Sequence, residues 1–426
     1  MPSTAAITGL GFITSIGLTK AEVANRLRHG QSGLVEFDFC GNPRHPVKVA
    51  APVPGFYFDG PNWREWSWPA GYEIPRETVR GLPPHGVYAF CAIEQALADA
   101  GLRLEDITSS DTGLFCASAG SPYMMWHHLE ELAASQYERG HPLSVVSSIA
   151  GTLNFNLAAH FRITGAVAGF VSACTSGSHA IGYALDEIRL GRQQRMIVVA
   201  AEELNAQTDL PFAAMRALST NPDPATASRP FDVERDGFVP TGGAVVLILE
   251  APELAQARGA KAYAEISGWG QAADGYNVAT SHPEGLGLRN AMLRAAKDAG
   301  IAMSDVDYIN AHATSTPAGD RSEALALRSL IAPDARTIVS GTKGLTGHGL
   351  SMAGVMEAAF CALTFSEKFL PGNPKLVNPD PVCKGLNLPK ESIAADPRIV
   401  MNNTSGFGGS NVCHVLRAPS PAFARS

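Results

Sequence analysis

The sequence predicts an α/β protein made of two similar halves, each a sheet covered by helices. Three observations predict it: segments that recur in the same order in both parts of the chain, apolar strand-like runs alternating with stretches of helical spacing, and 42 glycines scattered over 426 residues.

The first recurring segment is Ala5-Ala-Ile-Thr-Gly-Leu-Gly11, echoed by Ala264-Glu-Ile-Ser-Gly-Trp-Gly270; each reads as an apolar strand breaking at glycine. Ala96-Leu-Ala-Asp-Ala-Gly-Leu102 and Ala295-Ala-Lys-Asp-Ala-Gly-Ile301 each end a helix at glycine, where a left-handed residue is wanted. The third pair, Gly169 to Ala184 and Ile338 to Ala359, leads from a strand through a reactive-looking loop into a helix. The fourth is Gly237-Phe238 running into Val245 to Leu249, matched by Gly406-Phe407 running into Val412 to Leu416. Their shared order divides the chain into 1–250 and 251–426 and places a site between the halves. Phe56 to Trp68, rich in aromatic residues, has no counterpart in the repeat. It reads as an excursion covering a surface, or as an aromatic rim for a partner or ligand.

With 45% hydrophobic and 17% charged residues, the chain can bury one large core or two closely packed ones, which excludes disorder. A formal net charge of -7 argues against sequence-independent nucleic-acid binding and leaves room for a local basic patch. Seven cysteines, odd in number and without a C-x-x-C pair, read as reduced thiols of a cytoplasmic protein. Met1-Pro2-Ser3-Thr4 does not resemble a secretory leader. No apolar run approaches the roughly 18 residues that would read as a membrane span.

Three loops carry the chemistry. Cys174, in Val171-Ser-Ala-Cys-Thr-Ser-Gly177, stands between an apolar strand and a helix with Ala180, Ile181, Ala184, Leu185 and Ile188 at helical spacing. At a helix N-terminus the dipole and unpaired N–H groups favour a thiolate, so the position suits a nucleophile; the alternative is an inert packed thiol. His312 follows the strand-like Val306 to Asn310, and His348 lies in Gly341-Thr-Lys-Gly-Leu-Thr-Gly-His-Gly349 before another helix. Each alone would pass for a surface or core imidazole. Zinc accepts both Cys and His, but no close ligand pair accompanies them. A cysteine hydrolase needs Cys and His yet leaves the second histidine and the glycine-lined Lys343 unexplained. Gly406-Phe-Gly-Gly-Ser-Asn411 leads into a strand, not a helix, so it is not read as a phosphate loop. Its use is to bring backbone N–H groups to a reacting carbonyl, with Phe407 as a movable cover.

Over essentially its whole length the chain resembles the elongating β-ketoacyl-acyl-carrier-protein synthases of fatty acid and type II polyketide synthesis. The marks are Ala173-Cys-Thr-Ser-Gly177, Arg229-Pro-Phe-Asp232 with Arg235-Asp-Gly-Phe238, Asn310-Ala-His312 with Thr314-Ser-Thr-Pro317, Thr342-Lys-Gly-Leu-Thr-Gly-His348 and Gly406-Phe-Gly-Gly409. The resemblance implies a thiolase fold, layered α-β-α-β-α, and a homodimer, with a heterodimer with a ketosynthase-like subunit as the other arrangement. It implies a decarboxylative Claisen condensation in which Cys174 holds the acyl group and His312 and His348 stabilise the enolate of malonyl carrier protein. Lys343 tunes the field, the Phe407-Gly408 loop gates and holds the oxyanion, Thr314 and Thr316 bind the phosphopantetheine arm, and Glu357 supports the loops. The arm arrives on the acyl carrier protein, so no separate cofactor or metal is implied. Arg76 and Arg80 are candidate carrier contacts, or a solvated helix face. Pro122 to His128 reads as a lining of the acyl tunnel or as ordinary packing.

Two positions depart from the pattern: Ala313 where the family has glycine, and Ser405 where a phenylalanine is common. They suggest a specialised substrate, such as a polyene or polyketide chain. The main alternative is a non-condensing partner subunit of the chain-length-factor kind, which characteristically lacks the cysteine. A degradative thiolase would need a second cysteine as base, for which Cys413 is the candidate by chain position. Initiating synthases carry asparagine where His348 stands.

Overall fold

The computed structural model describes residues 4–333 and 335–423. Among them, ten strands form one mixed sheet: β1 (Ala5–Ile13), β2 (Thr112–Ala117), β3 (Val167–Phe170), β4 (Arg195–Glu202), β5 (Gly243–Glu250), β6 (Ala264–Ala273), β7 (Tyr308–Asn310), β8 (Ile338–Ser340), β9 (Ile399–Gly406) and β10 (Ser410–Arg417). The order is β8-β7-β9-β10-β6-β1-β5-β4-β2-β3. At the centre β1 and β6 pair antiparallel, Ala5 opposite Ile266 and Ile7 opposite Ala264. Moving outward from that seam, β5, β4, β2 and β3 on one side occupy the same places as β10, β9, β7 and β8 on the other.

Seven helices matter to the site: α1 (Pro84–Ala100), α2 (Pro122–Ala134), α3 (Ser176–Arg189), α4 (Ala206–Ala214), α5 (Leu286–Ala299), α6 (Pro317–Leu330) and α7 (Ala353–Glu367). Helix α1 packs on β1, β5 and β4, and α5 packs on β6, β10 and β9. Helices α3 and α7 lie against each other and touch strands of both sheet halves, giving the expected α-β-α-β-α layers. Alternation along β5 shows why its run is apolar throughout. Val245, Leu247 and Leu249 join the core around α3 and α7, while Ala244, Val246 and Ile248 join the core under α1. A strand covered on both faces has no polar side.

The repeated Gly-x-Gly and Ala-Asp-Ala-Gly signatures have one physical cause. A methyl on Gly11 would overlap the Ala92 carbonyl of α1, and one on Gly270 would overlap the Ala291 carbonyl of α5. Each strand shifts register just before the pair, between Ile7 and Gly9 and between Ile266 and Gly268. The N–H groups beside the shifts turn to the covering helix: Leu10 donates to Asp99 and Trp269 to Asp298, both at 2.9 Å. Gly101 and Gly300, both at φ 65°, then close the two helices.

The Phe56 to Trp68 segment forms a small ribbon, Tyr57–Phe58 paired with Trp66–Ser67. Phe56 and Trp66 are buried, and Phe56 and Phe58 both meet the Tyr88 ring of α1 edge-on. It covers a surface, the first of its two readings. No helix among the described residues is long and apolar enough to cross a membrane.

Gly11→Ala is expected to lose about 1–3 kcal/mol of stability or more, because the obstructing atom is helix backbone that cannot yield. Gly71→Ala, whose added methyl meets nothing, should stay within about 0.5 kcal/mol of wild type. Denaturant melts of the two variants check both; a Gly11→Ala protein as stable as Gly71→Ala contradicts the close strand–helix approach.

Candidate active site

Cys174 lies in the turn between β3 and α3. Ser172 N–H donates to Ser176 Oγ at 2.8 Å, Ser176 Oγ donates to the Ala173 carbonyl at 2.6 Å and Thr175 Oγ1 donates to the Ser172 carbonyl at 2.6 Å. These bonds wind the turn so tightly that Ala173 takes a left-handed φ of 52°. The strain lifts the next side chain out of the turn and into a cavity.

His312 sits in the loop from β7 to α6. Glu323 of α6 accepts the N–H groups of His312 and Ala313 at 2.9 and 2.7 Å, and Asp320 accepts that of Ser315 at 3.0 Å. Ala313 and Ser315 both have positive φ, 23° and 70°. The methyl of Ala313 lies against Gly341, where an added Cβ would come within 2.9 Å of it. The departure to alanine is thus met by a glycine on the facing loop.

His348 follows Gly347, which has φ 74°. Its N–H donates to the Val239 carbonyl at 2.7 Å, and its ring meets Phe238 edge-on at 5.2 Å. The rings of His312 and His348 stand 5.2 Å apart at 83°, and His348 Nε2 is 3.1 Å from Cys174 Sγ. One ligand atom from each of the three residues falls within 4.8 Å of the others.

Lys343 opens the turn after β8 and is fully buried. Its ammonium donates to the His312 carbonyl at 2.5 Å and pairs with the Glu357 carboxyl of α7, also fully buried. Burial pushes Glu357 up to about 7, against the pull of Lys343. Burial, and then the Lys343 charge, hold both imidazoles well below the usual histidine range, so both are neutral.

The thiol departs from expectation. Burial pushes Cys174 up to about 12 although Lys343 pulls the other way. Desolvation outweighs the helix N-terminus, and the resting group is a thiol, not the thiolate that the helix position suggests.

A cavity of about 340 Å³ opens onto Cys174, His312 and His348, with Thr314, Thr316 and Phe407 among its lining. The two threonine hydroxyls lie 3.0 Å apart. Phe407 is partly exposed and packs on Phe212 of α4 at 6.0 Å. Gly408, at φ 76°, donates its N–H to Val278 at 2.8 Å, tying the Phe407 turn to a neighbouring loop. A methyl on Gly406 would sit 3.0 Å from the Cys174 nitrogen, so the Phe407 turn abuts the Cys174 backbone. Ser405 faces the cavity and donates its hydroxyl to Asn411 at 2.6 Å.

Lys343 and Glu357 act from behind the wall and do not line the cavity; Pro122 to His128 does not line it either. That segment begins α2, with Met124 and His128 buried and Trp126 exposed. Arg76 and Arg80 are exposed, Arg76 lying 5.9 Å from the Trp63 ring. Cys413 is fully buried in β10 with its thiol pushed up by burial, in no position to act as a second catalytic cysteine. Sequence reading missed Glu323, Asp320 and Phe212. The two acids stand three residues apart just after Thr316-Pro317, a visible helix start, but their spacing does not reveal that they point back into the histidine loop.

Residues 3–255 match the family model "Beta-ketoacyl synthase, N-terminal domain" and residues 263–376 match "Beta-ketoacyl synthase, C-terminal domain". The chain is 35% identical over 421 residues to 3-oxoacyl-[acyl-carrier-protein] synthase 1 of Escherichia coli (strain K12), covering 97% of this chain and 98% of the relative. Its fold is similar to the crystal structure of a beta-ketoacyl synthase from Burkholderia phymatum STM815, with a TM-score of 0.88 at 30% identity over 99% of this chain and 100% of that one. It is also similar to the ishigamide ketosynthase/chain length factor, with a TM-score of 0.87, 30% identity and the same coverage. The duplicated sheet, the three converging loops and these matches agree: the chain belongs to the β-ketoacyl synthase family, enzymes of the acyltransferase class.

Proposed function

We propose that this chain performs decarboxylative condensation with the acyl group carried on Cys174 of the first half, 1–250, and the enolate held by His312 and His348 of the second, 251–426. The observation that carries the reading is the convergence of one thiol and two neutral imidazoles around a buried lysine.

In the first step the Cys174 sulfur attacks the thioester of an acyl carrier protein. The S–C bond to the carrier breaks, and the thiol proton leaves on the carrier's sulfur. Malonyl carrier protein then enters. Its carboxylate leaves as carbon dioxide, and N–H groups of His312 and His348 hydrogen-bond the enolate oxygen. Neutral imidazoles suit this task because a strong acid there would protonate the carbanion. The carbanion attacks the acyl-Cys174 carbonyl, whose oxyanion is held by the N–H groups of Cys174 and Phe407. Collapse releases a β-ketoacyl carrier, and the Cys174 sulfur takes a proton from solvent. Lys343 never touches substrate; it fixes the His312 loop and, with burial, keeps both imidazoles uncharged. Thr314 and Thr316 bind the amide groups of the phosphopantetheine arm, Phe407 and Gly408 form the gate, and Glu357 supports Lys343.

The name of the Escherichia coli relative supports an acyl carrier protein as the partner. No separate cofactor is needed, since the arm comes attached to that carrier. The three converging donors are read without a metal, because the buried Lys343 charge opposes a divalent cation beside them. The intact set argues against a non-condensing partner subunit. Seven free cysteines support a cytoplasmic location. Ala313 and Ser405 support a specialised chain, such as a polyene or polyketide. The strand β3 ends the sheet, with Val167 in it and Val171 just after it exposed, which supports pairing of two copies edge to edge.

Incubation with acyl carrier proteins bearing saturated, polyunsaturated and aryl-primed chains should add the acyl mass to the wild-type chain and nothing to Cys174→Ala. Malonyl carrier protein should then release a product two carbons longer. No adduct with any donor, with or without a candidate partner subunit, sinks the condensing reading. The raised thiol predicts that iodoacetamide alkylation of Cys174 accelerates with pH throughout the range from about pH 6 to about pH 9. A plateau near neutrality points to a resting thiolate and against the burial argument. Sedimentation equilibrium should return about twice the mass of one chain; a monomer at micromolar concentration overturns the edge-to-edge dimer.

A further inference from the structure

We infer that Glu202 and Ser351 are a positioning pair that sets the separation of Cys174 and His348. The inference rests on the roles assigned to those two residues above.

Glu202 is the last residue of β4, fully buried, and does not line the cavity. Its Oε1 is a meeting point of three donors. The Ser351 hydroxyl donates to it, the Ser351 N–H reaches it at 3.3 Å, and the Ala119 N–H, from the segment after β2, reaches it at 3.0 Å. One carboxyl oxygen therefore ties together the ends of two parallel strands and the turn that opens α7.

Ser351 stands three residues beyond His348. Leu350 between them takes a left-handed φ of 46° and lines the cavity. A non-glycine residue adopts that conformation only where its surroundings enforce it, and the two bonds from Ser351 to Glu202 supply part of that enforcement. The Ser351 carbonyl faces the first turn of α3, where a methyl on Gly177 would come within 2.8 Å of it. Ser351 is therefore held between Glu202 and the helix that carries the nucleophile. The two groups joined by this path are the ones whose contact matters, His348 Nε2 and Cys174 Sγ at 3.1 Å. Removing the Ser351 hydroxyl frees the Leu350 turn to relax and lets the imidazole drift from the sulfur. Burial pushes Glu202 up to about 7, and its charge in turn raises the Cys174 thiol, as expected for a group close behind the nucleophile.

The test compares Ser351→Ala and Glu202→Ala with the conservative Ser351→Thr and Glu202→Gln, which keep a hydroxyl donor and an acceptor oxygen. Three quantities are read: kcat and KM for malonyl carrier protein, the rate of iodoacetamide alkylation of Cys174 by intact mass, and the melting temperature. The alanine variants should lower kcat by about ten- to a hundredfold with KM unchanged, and Ser351→Ala, which leaves the Glu202 carboxyl in place, should slow alkylation by a similar factor. The conservative variants should return both rates to within about threefold of wild type. Unchanged kcat and alkylation in Ser351→Ala overturn the inference, as do conservative variants as impaired as alanine. Should Glu202→Ala fail to fold, Ser351→Ala carries the test, since it removes a single hydroxyl. Alkylation needs no carrier protein: a wild-type chain that fails to condense, with alkylation still responding as described, refutes the condensing reading and leaves the positioning pair standing.

Discussion

The site depends on one buried charge. Placing the Lys343 ammonium out of reach of water costs several kcal/mol, and the fold compensates it with the Glu357 carboxyl on α7 and the His312 carbonyl on the facing loop. Three segments of the second half thereby acquire fixed distances from one another: the turn after β8, the loop after β7, and the central helix α7. Burial suppresses protonation of both histidines and the same charge adds to it, so Lys343 contributes to geometry and protonation state together.

Around that charge the backbone is over-determined. Ala173, Ala313, Ser315 and Leu350 all hold left-handed conformations that cost free energy, and all lie in or beside the three loops that converge on the cavity. Each has an identifiable restraint: the Ser176 and Thr175 hydroxyls around Ala173, Glu323 on Ala313, Asp320 on Ser315, and the Glu202–Ser351 contact beside Leu350. The restraining groups come mostly from regular elements, β4, α3 and α6, so the irregular loops inherit the rigidity of the layers.

Much of this was legible before any coordinates. The Gly-x-Gly and Ala-Asp-Ala-Gly repeats mark β1, α1, β6 and α5 because close strand–helix approach demands glycine, and a register shift leaves an N–H that aspartate can satisfy. Cys174, His312, Lys343 and His348 stood out because each sits where a strand ends, as the places that open α/β sheets offer to chemistry. What stayed hidden depends on direction. The helical spacing of Asp320 and Glu323 fits a solvated face as well as a buried one, and nothing near Glu202 tells that its side chain reaches Ser351. The thiol's protonation is likewise hidden, because a helix N-terminus shows in the pattern of residues while the extent of desolvation is a property of the packed layers.

That protonated sulfur has a consequence for life in an oxidising cell. Peroxide attacks thiolates, and sulfenic acid is the first rung of a ladder that leads to irreversible damage. Burial that favours the thiol over the thiolate keeps Cys174 off the first rung of that ladder, which makes the resting sulfur a poor target for peroxide. The burial that slows indiscriminate electrophiles thus acts as protection.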